Sequence, residues 1–161
     1  MYKKFSVLIK NKINRFNKKI TVSGDKSISI RWVLFSSIAN GVSTASNLLM
    51  SEDVLTAINA IKKLGIKVHL NKNICKIYGK GINGYNYKKN LSIDSRNSGT
   101  FGRLILGLII NTPYSIKLIG DKSLSKRDFT RVIEPLKKFG AKFEYKKKGL
   151  PETQCNACSV L

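Results

Sequence analysis

Two short cationic turns hold the residues of this chain that are best suited to chemistry. The first GDKS turn, "GDKSISIR", fills residues 24–31, and the second, "GDKSLSKR", fills residues 120–127. Each follows a strand-like run and opens a predicted helix, where free backbone N–H groups attract anions. In the first turn Lys26 adds a positive charge and Ser27 a hydroxyl, and Arg31 follows Ser27 by about one helical turn. The pattern predicts a phosphate or carboxylate site; the plainer alternative is an ordinary helix cap with exposed cations.

A third turn, here called the NSGT turn, has the sequence "DSRNSGTFGR" at residues 94–103. Gly99 lets the backbone approach a ligand closely, and Arg103 lies four residues further on. The alternative is that Gly99 and Gly102 only allow close helix packing. Arg127 of the second GDKS turn also lies near the start of a predicted helix. If the three turns converge, their common ligand carries several negative charges.

Hydrophobic periodicity predicts an alternation of strands and helices. Strand-like runs lie at 5–9, 19–24, 65–70, 74–79, 91–94, 115–120 and 141–146. Helices are predicted from Ser27 or Ser29 to Asn40, from Ser51 to Gly65, from Ser98 or Gly99 onward, and from Ser125 to Phe139. Serines at the starts and glycines at the ends suggest these limits. The third helix contains the apolar run 104–110, which predicts a central helix buried on all sides.

An internal similarity relates two parts of the chain. "SEDVLTAINAIKKLGIKV" (51–68) matches "KRDFTRVIEPLKKFGAKF" (126–143) at a spacing of 75. The two GDKS turns repeat at a spacing of 96, so one tandem duplication does not explain both similarities. The longer match predicts a repeated helix-turn-strand unit. The shorter one indicates either shared chemistry at two helix starts or chance.

The formal net charge is +21, from 30 Lys and Arg against 9 Asp and Glu, which suggests anionic partners. Nucleic acid, membrane surfaces and phosphorylated metabolites all qualify, but the Lys-, Ile- and Asn-rich composition also suits an AT-rich genome. An RNA-binding module needs aromatic and basic residues interleaved on one sheet face, and "NYKKN" and "EYKKK" are too short to count. Nucleic acid is therefore not expected as a partner.

Composition also bounds the broad class of protein. Hydrophobic residues make up 42% of the chain, which indicates a folded domain. No apolar run reaches the roughly 18 residues of a membrane span, and the N-terminus does not resemble a secretory signal, so a soluble internal protein is expected. Cys75 is expected to be a buried thiol. Cys155 and Cys158 form a C-x-x-C pair without a second Cys or His pair, and the single histidine, His69, is expected on a strand, so no metal site is predicted.

Four motifs in series resemble the 5-enolpyruvylshikimate-3-phosphate synthase (3-phosphoshikimate 1-carboxyvinyltransferase) family. They are "GDKSISIR", "NLLMSEDVLTAINAIKKLGIKV", "RNSGTFGRLILGLI" and "LIGDKSLSKRDFTRVIEPLKKFGAKF", which occur in the family's order and cover about residues 18–150. The resemblance implies substrate contacts at the three turns: Lys26, Ser27 and Arg31 for shikimate 3-phosphate; Lys26, Gly99 and Arg127 for phosphoenolpyruvate; Thr100 and Arg103 in support.

The resemblance also implies a fold and a reaction. The fold is an inside-out α/β barrel of the enolpyruvyl transferase type, built from βαβαββ repeats and incomplete here. Residues 1–18 are expected to give an opening strand to the other domain, 19–150 about two repeat units of a substrate-binding domain, and 151–161 a tail unlike the family. The reaction transfers the enolpyruvyl group of phosphoenolpyruvate to the 5-hydroxyl of shikimate 3-phosphate and releases phosphate, in the shikimate pathway to chorismate and the aromatic amino acids.

Other implications concern what this chain does by itself. The family needs no metal or organic cofactor, and its catalytic carboxylates lie in its second half. This chain, taken as an N-terminal fragment, is therefore expected to contain no catalytic residue and to be inactive alone. The full-length protein is expected to be a monomer in the cytoplasm, or in the plastid stroma of a eukaryote.

Three positions depart from the family pattern. Arg96 replaces a glycine before "NSGT", Asp128 replaces a proline after Arg127, and Ile30 stands where a polar residue is common. Arg96 is expected to disturb the turn or crowd a phosphate, and Asp128 to neutralise Arg127 in part. Two alternatives stay open: the related UDP-N-acetylglucosamine enolpyruvyl transferase, against which "GDKSIS" followed by "NSGT" argues, and a basic nucleic-acid-binding protein.

Overall fold

The computed structural model describes residues 6–12, 15, 17–72 and 74–144, together with the backbone of a strand at 153–156. Its helices are α1 (Lys26–Ile38), α2 (Glu52–Lys63), α3 (Gly99–Ile109) and α4 (Thr130–Lys138). Its strands are β1 (Asn40–Ser46), β2 (Lys67–Asn71), β3 (Ile74–Lys80), β4 (Leu91–Asp94), β5 (Ile116–Ile119), β6 (Lys142–Glu144) and β7 (Thr153–Asn156). This alternation of helices and strands confirms the predicted α/β class.

The strands form two sheets. β1, β3 and β2 form the first sheet in that order, and both pairs are antiparallel. The second sheet has the order β4-β5-β7-β6, and its β4 and β5 run parallel. Parallel neighbours need a crossover connection, which α3 supplies. The carboxyl ends of β4 and β5 therefore meet at one edge of the sheet, where the NSGT turn and the second GDKS turn begin.

Strand order shows which of the two internal similarities corresponds to a repeated structural unit. The successions β1-α2-β2-β3 and β5-α4-β6-β7 are alike, and their strands have the same spatial orders, β1-β3-β2 and β5-β7-β6. β2 begins at Lys67 and β6 at Lys142, which is the spacing of 75 found in the sequence. The predicted repeat is therefore confirmed. The two GDKS turns do not occupy equivalent positions in this repeat. The first precedes α1, before the first repeat begins, whereas the second follows β5, the opening strand of the second repeat.

The two N-terminal strands predicted at 5–9 and 19–24 do not form in the part of those ranges that the structure describes. Val7, Leu8 and Ile9 are 70–86% exposed, and no described strand pairs with either segment. A strand gains stability only when a neighbour takes up its backbone hydrogen bonds. The alternation of residue types was therefore an insufficient signal here.

The C-terminal limit of α1 also differs from its prediction. The helix ends at Ile38 rather than Asn40, because the chain enters β1 at that point. The sequence "NGVSTAS" is small and polar, so β1 was not predicted at all. Gly41 has the expected positive φ of 93°, but it lies inside β1 and does not end the helix.

The helix predicted from Ser125 to Phe139 is split in two. A 3₁₀ turn at Leu124–Lys126 is followed by Arg127, whose backbone is extended, and α4 begins at Thr130. The Asp128 carboxylate accepts the Thr130 N–H at 2.8 Å, a local turn that starts a new helix. Asp128, one of the three positions expected to depart from the family pattern, therefore lies at the break.

The core lies between the helices and the inner faces of the sheets. Its fully buried side chains include Ile30, Val33, Ile58, Ile61, Ile77, Phe101, Ile105 and Leu118. The prediction that α3 is buried on all sides is wrong for one side, where Gly107 is exposed and Leu104 and Leu108 are half-buried. That side borders a groove shared with Leu34 and Phe35 of α1.

Two smaller predictions are confirmed. Cys75 in β3 is buried, and this burial raises the pKa of its thiol, against a weaker lowering effect of Lys62. His69 lies on β2, where its side chain is exposed. None of the helices in the described part of the chain has the length and apolar character needed to span a membrane.

Candidate functional site

The first GDKS turn is organised by Asp25 rather than by a serine. The Asp25 carboxylate accepts the Ile28 N–H at 2.7 Å and is the N-cap of α1, so the prediction that Ser27 or Ser29 caps this helix is wrong. Asp is a strong N-cap residue because its oxygen reaches the N–H two or three positions ahead. Lys26 and Ser27 consequently become the first two residues of α1, where unpaired N–H groups point out of the helix.

Gly24 and Ser29 fix this turn against the end of β1. A Cβ at Gly24 would lie 2.2 Å from the carbonyl oxygen of Asn47, so only glycine fits there. Asn47, at φ +57°, donates its side-chain N–H to the Val22 carbonyl at 3.1 Å. The Ser29 hydroxyl donates to the Asp25 carbonyl at 2.6 Å and accepts the Leu49 N–H at 3.1 Å.

The second GDKS turn repeats the same local geometry. The Asp121 carboxylate accepts the Leu124 N–H at 2.7 Å, as Asp25 does for Ile28. The Asp121 carbonyl accepts the Ser125 N–H at 2.8 Å, matching the 3.0 Å bond from the Ser29 N–H to the Asp25 carbonyl. The recurrence of "GDKS" therefore reflects one capping turn used twice.

Gly99 lies directly against two guanidinium groups. It is the first residue of α3, and Ser98 is the N-cap. A Cβ at Gly99 would lie 2.7 Å from Nη1 of Arg127 and 3.0 Å from Nη1 of Arg103. The start of α3 therefore combines backbone N–H groups that have no partner within the helix with two guanidinium cations. This arrangement favours the binding of an anion.

Both arginines are held in position by other groups. Arg127 donates from Nη2 to the side-chain oxygen of Asn97 at 2.7 Å. Arg103 donates from Nη2 to the Asp128 carbonyl at 2.8 Å, and its guanidinium lies 4.9 Å from the ring centroid of Phe129. Asn97 was not among the predicted site residues; its position in the same turn, one residue before the Ser98 cap, was the available signal.

The first turn of α2 links the other cations to this region. Asp53 forms an ion pair with Lys26, with 3.0 Å between Oδ2 and Nζ, and the Lys26 side chain is 51% exposed. Glu52 accepts a hydrogen bond from the Arg96 guanidinium. Two adjacent carboxylates thus connect the start of α1 with the loop that leads into α3. These pairings were not predicted, although acidic residues in a first turn are a recognisable feature of the sequence.

Arg96 does not disrupt the NSGT turn. Its backbone adopts φ +47°, its N–H donates to the Asp94 carboxylate at 2.8 Å, and its carbonyl accepts the Asp121 N–H at 2.9 Å. This conformation favours glycine, the residue that the family resemblance led us to expect here, and costs an arginine about 1 kcal/mol or more. The Arg96 guanidinium is bonded to Glu52. Its expected crowding of a bound phosphate stays a prediction.

Asp128 has partners other than Arg127. Its carboxylate accepts hydrogen bonds from the hydroxyl of Thr130 at 2.6 Å and from the Thr130 N–H at 2.8 Å. These two hydrogen bonds are the main reason why the pKa of this exposed carboxyl is lowered. The cations Arg131 and Arg103 lower it further, by less. The described bonds of Arg127 lead instead to Asn97.

The predicted site residues form two groups. The guanidinium groups of Arg103 and Arg127 both lie against Gly99, and Thr100 is the next residue of α3. Lys26 and Ser27 lie at the start of α1, and Arg31 lies further along α1 at the groove that α1 shares with α3. α1 packs against both α2 and α3, so the two groups belong to neighbouring elements.

Comparison with known proteins identifies the family. The model of the EPSP synthase (3-phosphoshikimate 1-carboxyvinyltransferase) family matches residues 10–158. The chain belongs to this family. It is 42% identical to the 3-phosphoshikimate 1-carboxyvinyltransferase of Bacillus cytotoxicus over 133 residues, which is 83% of this chain and 31% of that protein. The corresponding protein of Sulfurihydrogenibium sp. is 41% identical over 138 residues, covering 86% of this chain and 32% of that protein.

A solved structure agrees with the sequence comparison. EPSP synthase from Acinetobacter baumannii superposes with a TM-score of 0.80 at 32% identity, over 87% of this chain and 32% of that one. The family resemblance and the predicted fold class are thereby confirmed, and the EPSP synthase family takes precedence over the UDP-N-acetylglucosamine alternative. The chain spans about a third of the length of the relatives it matches.

Two predictions concern parts that the comparisons leave open. The domain limits at residues 18 and 150 stay predictions, while the family match extends to residue 158 and β7 pairs with β5 and β6. The side chains of the C-x-x-C pair, Cys155 and Cys158, lie outside the described part of the chain. Among the side chains that are described, no group of three or more His, Cys, Asp and Glu could hold a metal ion.

Proposed function

We propose that this chain forms one side of the substrate site of an EPSP synthase. In that reaction the enolpyruvyl group of phosphoenolpyruvate is transferred to the 5-hydroxyl of shikimate 3-phosphate, and phosphate is released. The observation that carries the proposal is the contact of Gly99 with Arg103 and Arg127 at the N-terminus of α3. Both proposed substrates are anions, which suits helix N-termini surrounded by cations.

Phosphoenolpyruvate is the ligand that we assign to Gly99 and Arg127. It carries a phosphate and a carboxylate, and the planar guanidinium of arginine can form paired hydrogen bonds with either group. Asn97 restrains the Arg127 guanidinium from one side, which reduces the entropy lost when a ligand binds. A side chain at Gly99 would occupy space that the two arginines use. Thr100 and Arg103 support this helix start.

Shikimate 3-phosphate is assigned to the α1 side of the site. Lys26 and Ser27 offer an ammonium, a hydroxyl and the N–H groups of the first turn of α1. Asp53 holds the Lys26 ammonium, and because the pair is partly exposed, a phosphate can share the cation without a large desolvation cost. Arg31, on the exposed side of α1, supplies the third contact.

We infer that turnover requires groups that the described part of this chain does not offer. The described carboxylates at these turns already have partners: Asp25 caps α1, Asp53 binds Lys26, Glu52 binds Arg96, Asp94 accepts the Arg96 N–H and Asp128 accepts bonds from Thr130. A general acid or base must reach the proton that it transfers, with a pKa suited to that task. We therefore propose that the proton transfers depend on the remaining two thirds of the family's length, and that the chain alone is inactive.

The experiment combines this chain with the complementary C-terminal part of a relative and measures phosphate release from the two substrates. We expect release only when both parts are present, and we expect it to fall strongly with Arg127→Met and little with Lys126→Met, an adjacent exposed cation. A folded, associated complex without phosphate release would contradict the proposed function. The proposed compartment is the cytoplasm, or the plastid stroma of a eukaryote, and the proposed state of the complete protein is monomeric.

A further inference from the structure

The outer face of the first sheet is an ordered grid of side chains. Paired residues in an antiparallel sheet project to the same side, so the register groups them into rows. The rows that face away from the core are Val42, Tyr78 and Lys67; Thr44, Lys76 and His69; Ser46, Ile74 and Asn71; with Lys80 at the end of β3. The intervening residues Cys75 and Ile77 are buried, which confirms that the opposite face meets the core. We call this grid the outer face.

The charge of the outer face has one sign. Lys67, Lys76 and Lys80 lie on it and are exposed. The surrounding segment, residues 54–93, contains eight lysines and no aspartate or glutamate. Lysines at this density give the outer face a positive potential that attracts polyanions.

An aromatic group lies at the centre of the grid. Tyr78 is on β3, the middle strand of the sheet. The Lys67 ammonium lies 5.2 Å from the centroid of its ring, and the His69 ring contacts it edge-on with 5.7 Å between centroids. Val42 is 57% exposed beside it on β1. The Lys67 ammonium lies over the half-buried ring, so a base that stacks on Tyr78 displaces this cation, which can then meet the phosphate of the same nucleotide.

We propose that the outer face binds single-stranded nucleic acid, with a base stacked at Tyr78 and phosphates at Lys67 and Lys76. A single strand fits better than a duplex, since in a duplex the bases are stacked inside and cannot reach Tyr78. The open sheet also differs from the enclosed sites that small metabolites occupy. No nucleic acid partner was expected, because the sequence has no stretch in which aromatic and basic residues alternate. In the structure these residues alternate between strands, through the pairing of Lys67 with Tyr78 and of His69 with Lys76.

This proposal is independent of the proposed enzymatic function. The outer face lies on the side of the sheet away from the core, and none of its residues belongs to the GDKS turns or the NSGT turn. Variants of the outer face therefore leave the candidate substrate site intact.

The test measures fluorescence anisotropy of a labelled oligouridylate of ~10 nucleotides, a length within the range bound by single-strand sites. The 161-residue chain is titrated at several salt concentrations, with a duplex RNA of equal length for comparison. We expect saturable binding that is tighter for the single strand. Tyr78→Ala should weaken this binding about tenfold, since stacking of each base contributes that much or more, and Tyr78→Phe should retain it.

A matched pair of charge variants separates the outer face from the general charge of the chain. Lys67→Gln with Lys76→Gln should reduce the magnitude of the slope of log affinity against log salt by about 1.4, since each contact with a single strand contributes about 0.7. Lys18→Gln with Lys19→Gln removes the same charge from the exposed N-terminal segment and should leave the slope nearly unchanged. Equal effects of the two double variants, an unchanged affinity of Tyr78→Ala, a preference for the duplex or the absence of saturable binding would each overturn the proposal.

Discussion

The two GDKS turns have the same cap and different continuations. In each, an aspartate accepts the N–H of the residue three positions ahead at 2.7 Å. After Asp25 the chain continues as the 13-residue helix α1, whereas after Asp121 it forms a three-residue 3₁₀ turn and becomes extended at Arg127. The cap therefore sets only the direction in which the chain starts. The residues after it determine where the arginine of each turn arrives.

Burial explains why the continuations diverge. In the first turn Ile30, Val33 and Leu34 follow at helical spacing and are all buried, so packing extends the helix. In the second, Leu124 alone is buried before the charged stretch Lys126–Asp128, and Asp128 begins another turn. The consequence is that Arg31 remains on a helix surface while Arg127 reaches the start of α3.

The largest expected effect comes from replacing the glycine that opens each turn. A Cβ at Gly24 would meet the Asn47 carbonyl oxygen at 2.2 Å and the Leu49 N–H nitrogen at 2.9 Å, which are backbone atoms. Gly24→Ala should therefore lower the free energy of unfolding by about 3 kcal/mol, the upper part of the range for overpacking. Urea denaturation followed by circular dichroism measures this loss.

Gly120→Ala is the matched variant in the second turn. Its Cβ would meet a methyl group of Leu124 at 2.5 Å and the Arg96 carbonyl oxygen at 3.0 Å. Because a leucine side chain can move, the loss should be about 1 kcal/mol. Equal losses at the two glycines would show that the turns are equally constrained and would contradict the comparison.

The next effect concerns ligand binding at the arginine of the second turn. Arg127→Met should weaken binding of phosphoenolpyruvate by about tenfold or more, since a charge-assisted hydrogen bond contributes about 1.5–3 kcal/mol. Isothermal titration of the complemented protein in the presence of shikimate 3-phosphate measures the change. Lys126→Met removes a neighbouring exposed charge as the control, and a similar loss from both variants would indicate long-range charge attraction alone.

Removing the aspartate cap should cost more stability in the first GDKS turn than in the second, because the first begins a longer helix. Asp25→Ala should cost about 1–2 kcal/mol, the usual cost of losing an N-cap, because α1 is long and packs against the core. Asp121→Ala should cost about 0.5 kcal/mol, since it caps a single 3₁₀ turn. Thermal unfolding of both variants checks the order, and a larger loss for Asp121→Ala would reverse it.

A smaller effect arises at the residues with positive φ beside each turn. Arg96→Gly removes a φ of +47° that is unfavourable for arginine and loses an exposed ion pair with Glu52, for a net gain of about 0.5 kcal/mol. Asn47→Gly has less to gain at φ +57°, because asparagine tolerates this region and bonds the Val22 carbonyl. Chemical denaturation compares the two, and stabilisation by Asn47→Gly beyond that of Arg96→Gly would contradict this account.

Elements defined by strong periodicity were predictable from the sequence. α2 was located within its limits because acidic residues begin it, an apolar stripe of Val54, Ile58 and Ile61 follows, and Gly65 ends it at φ +85°. β1 was not, because its small polar residues form a strand only through seven pairings with β3. The predicted strand at 19–24 failed for the opposite reason, since its pattern is suitable but no described neighbour pairs with it.

The candidate site was predictable in its residue types and not in its contacts. Cations beside helix starts at Lys26, Arg103 and Arg127 are visible in the sequence. The proximity of Arg127 to Gly99 depends on β4 and β5 being parallel neighbours, which a single sequence does not specify. The ion pair of Lys26 with Asp53 likewise depends on the packing of α1 against α2.

The smallest expected effect concerns Asp128, which lies where the chain after the second GDKS turn is interrupted before α4. Hydrogen bonds from Thr130 lower the pKa of the Asp128 carboxyl, so the bonded carboxylate stabilises the folded state above the unfolded pKa. That contribution is lost as the pH falls through the lowered folded pKa. Thr130→Val removes the hydroxyl and should move the Asp128 titration, followed by NMR of the carboxyl carbon, upward toward the ordinary aspartate range, whereas Thr130→Ser should leave it in place. If both variants titrate together, the Thr130 hydroxyl does not hold the carboxylate, and the start of α4 must depend on the backbone N–H alone.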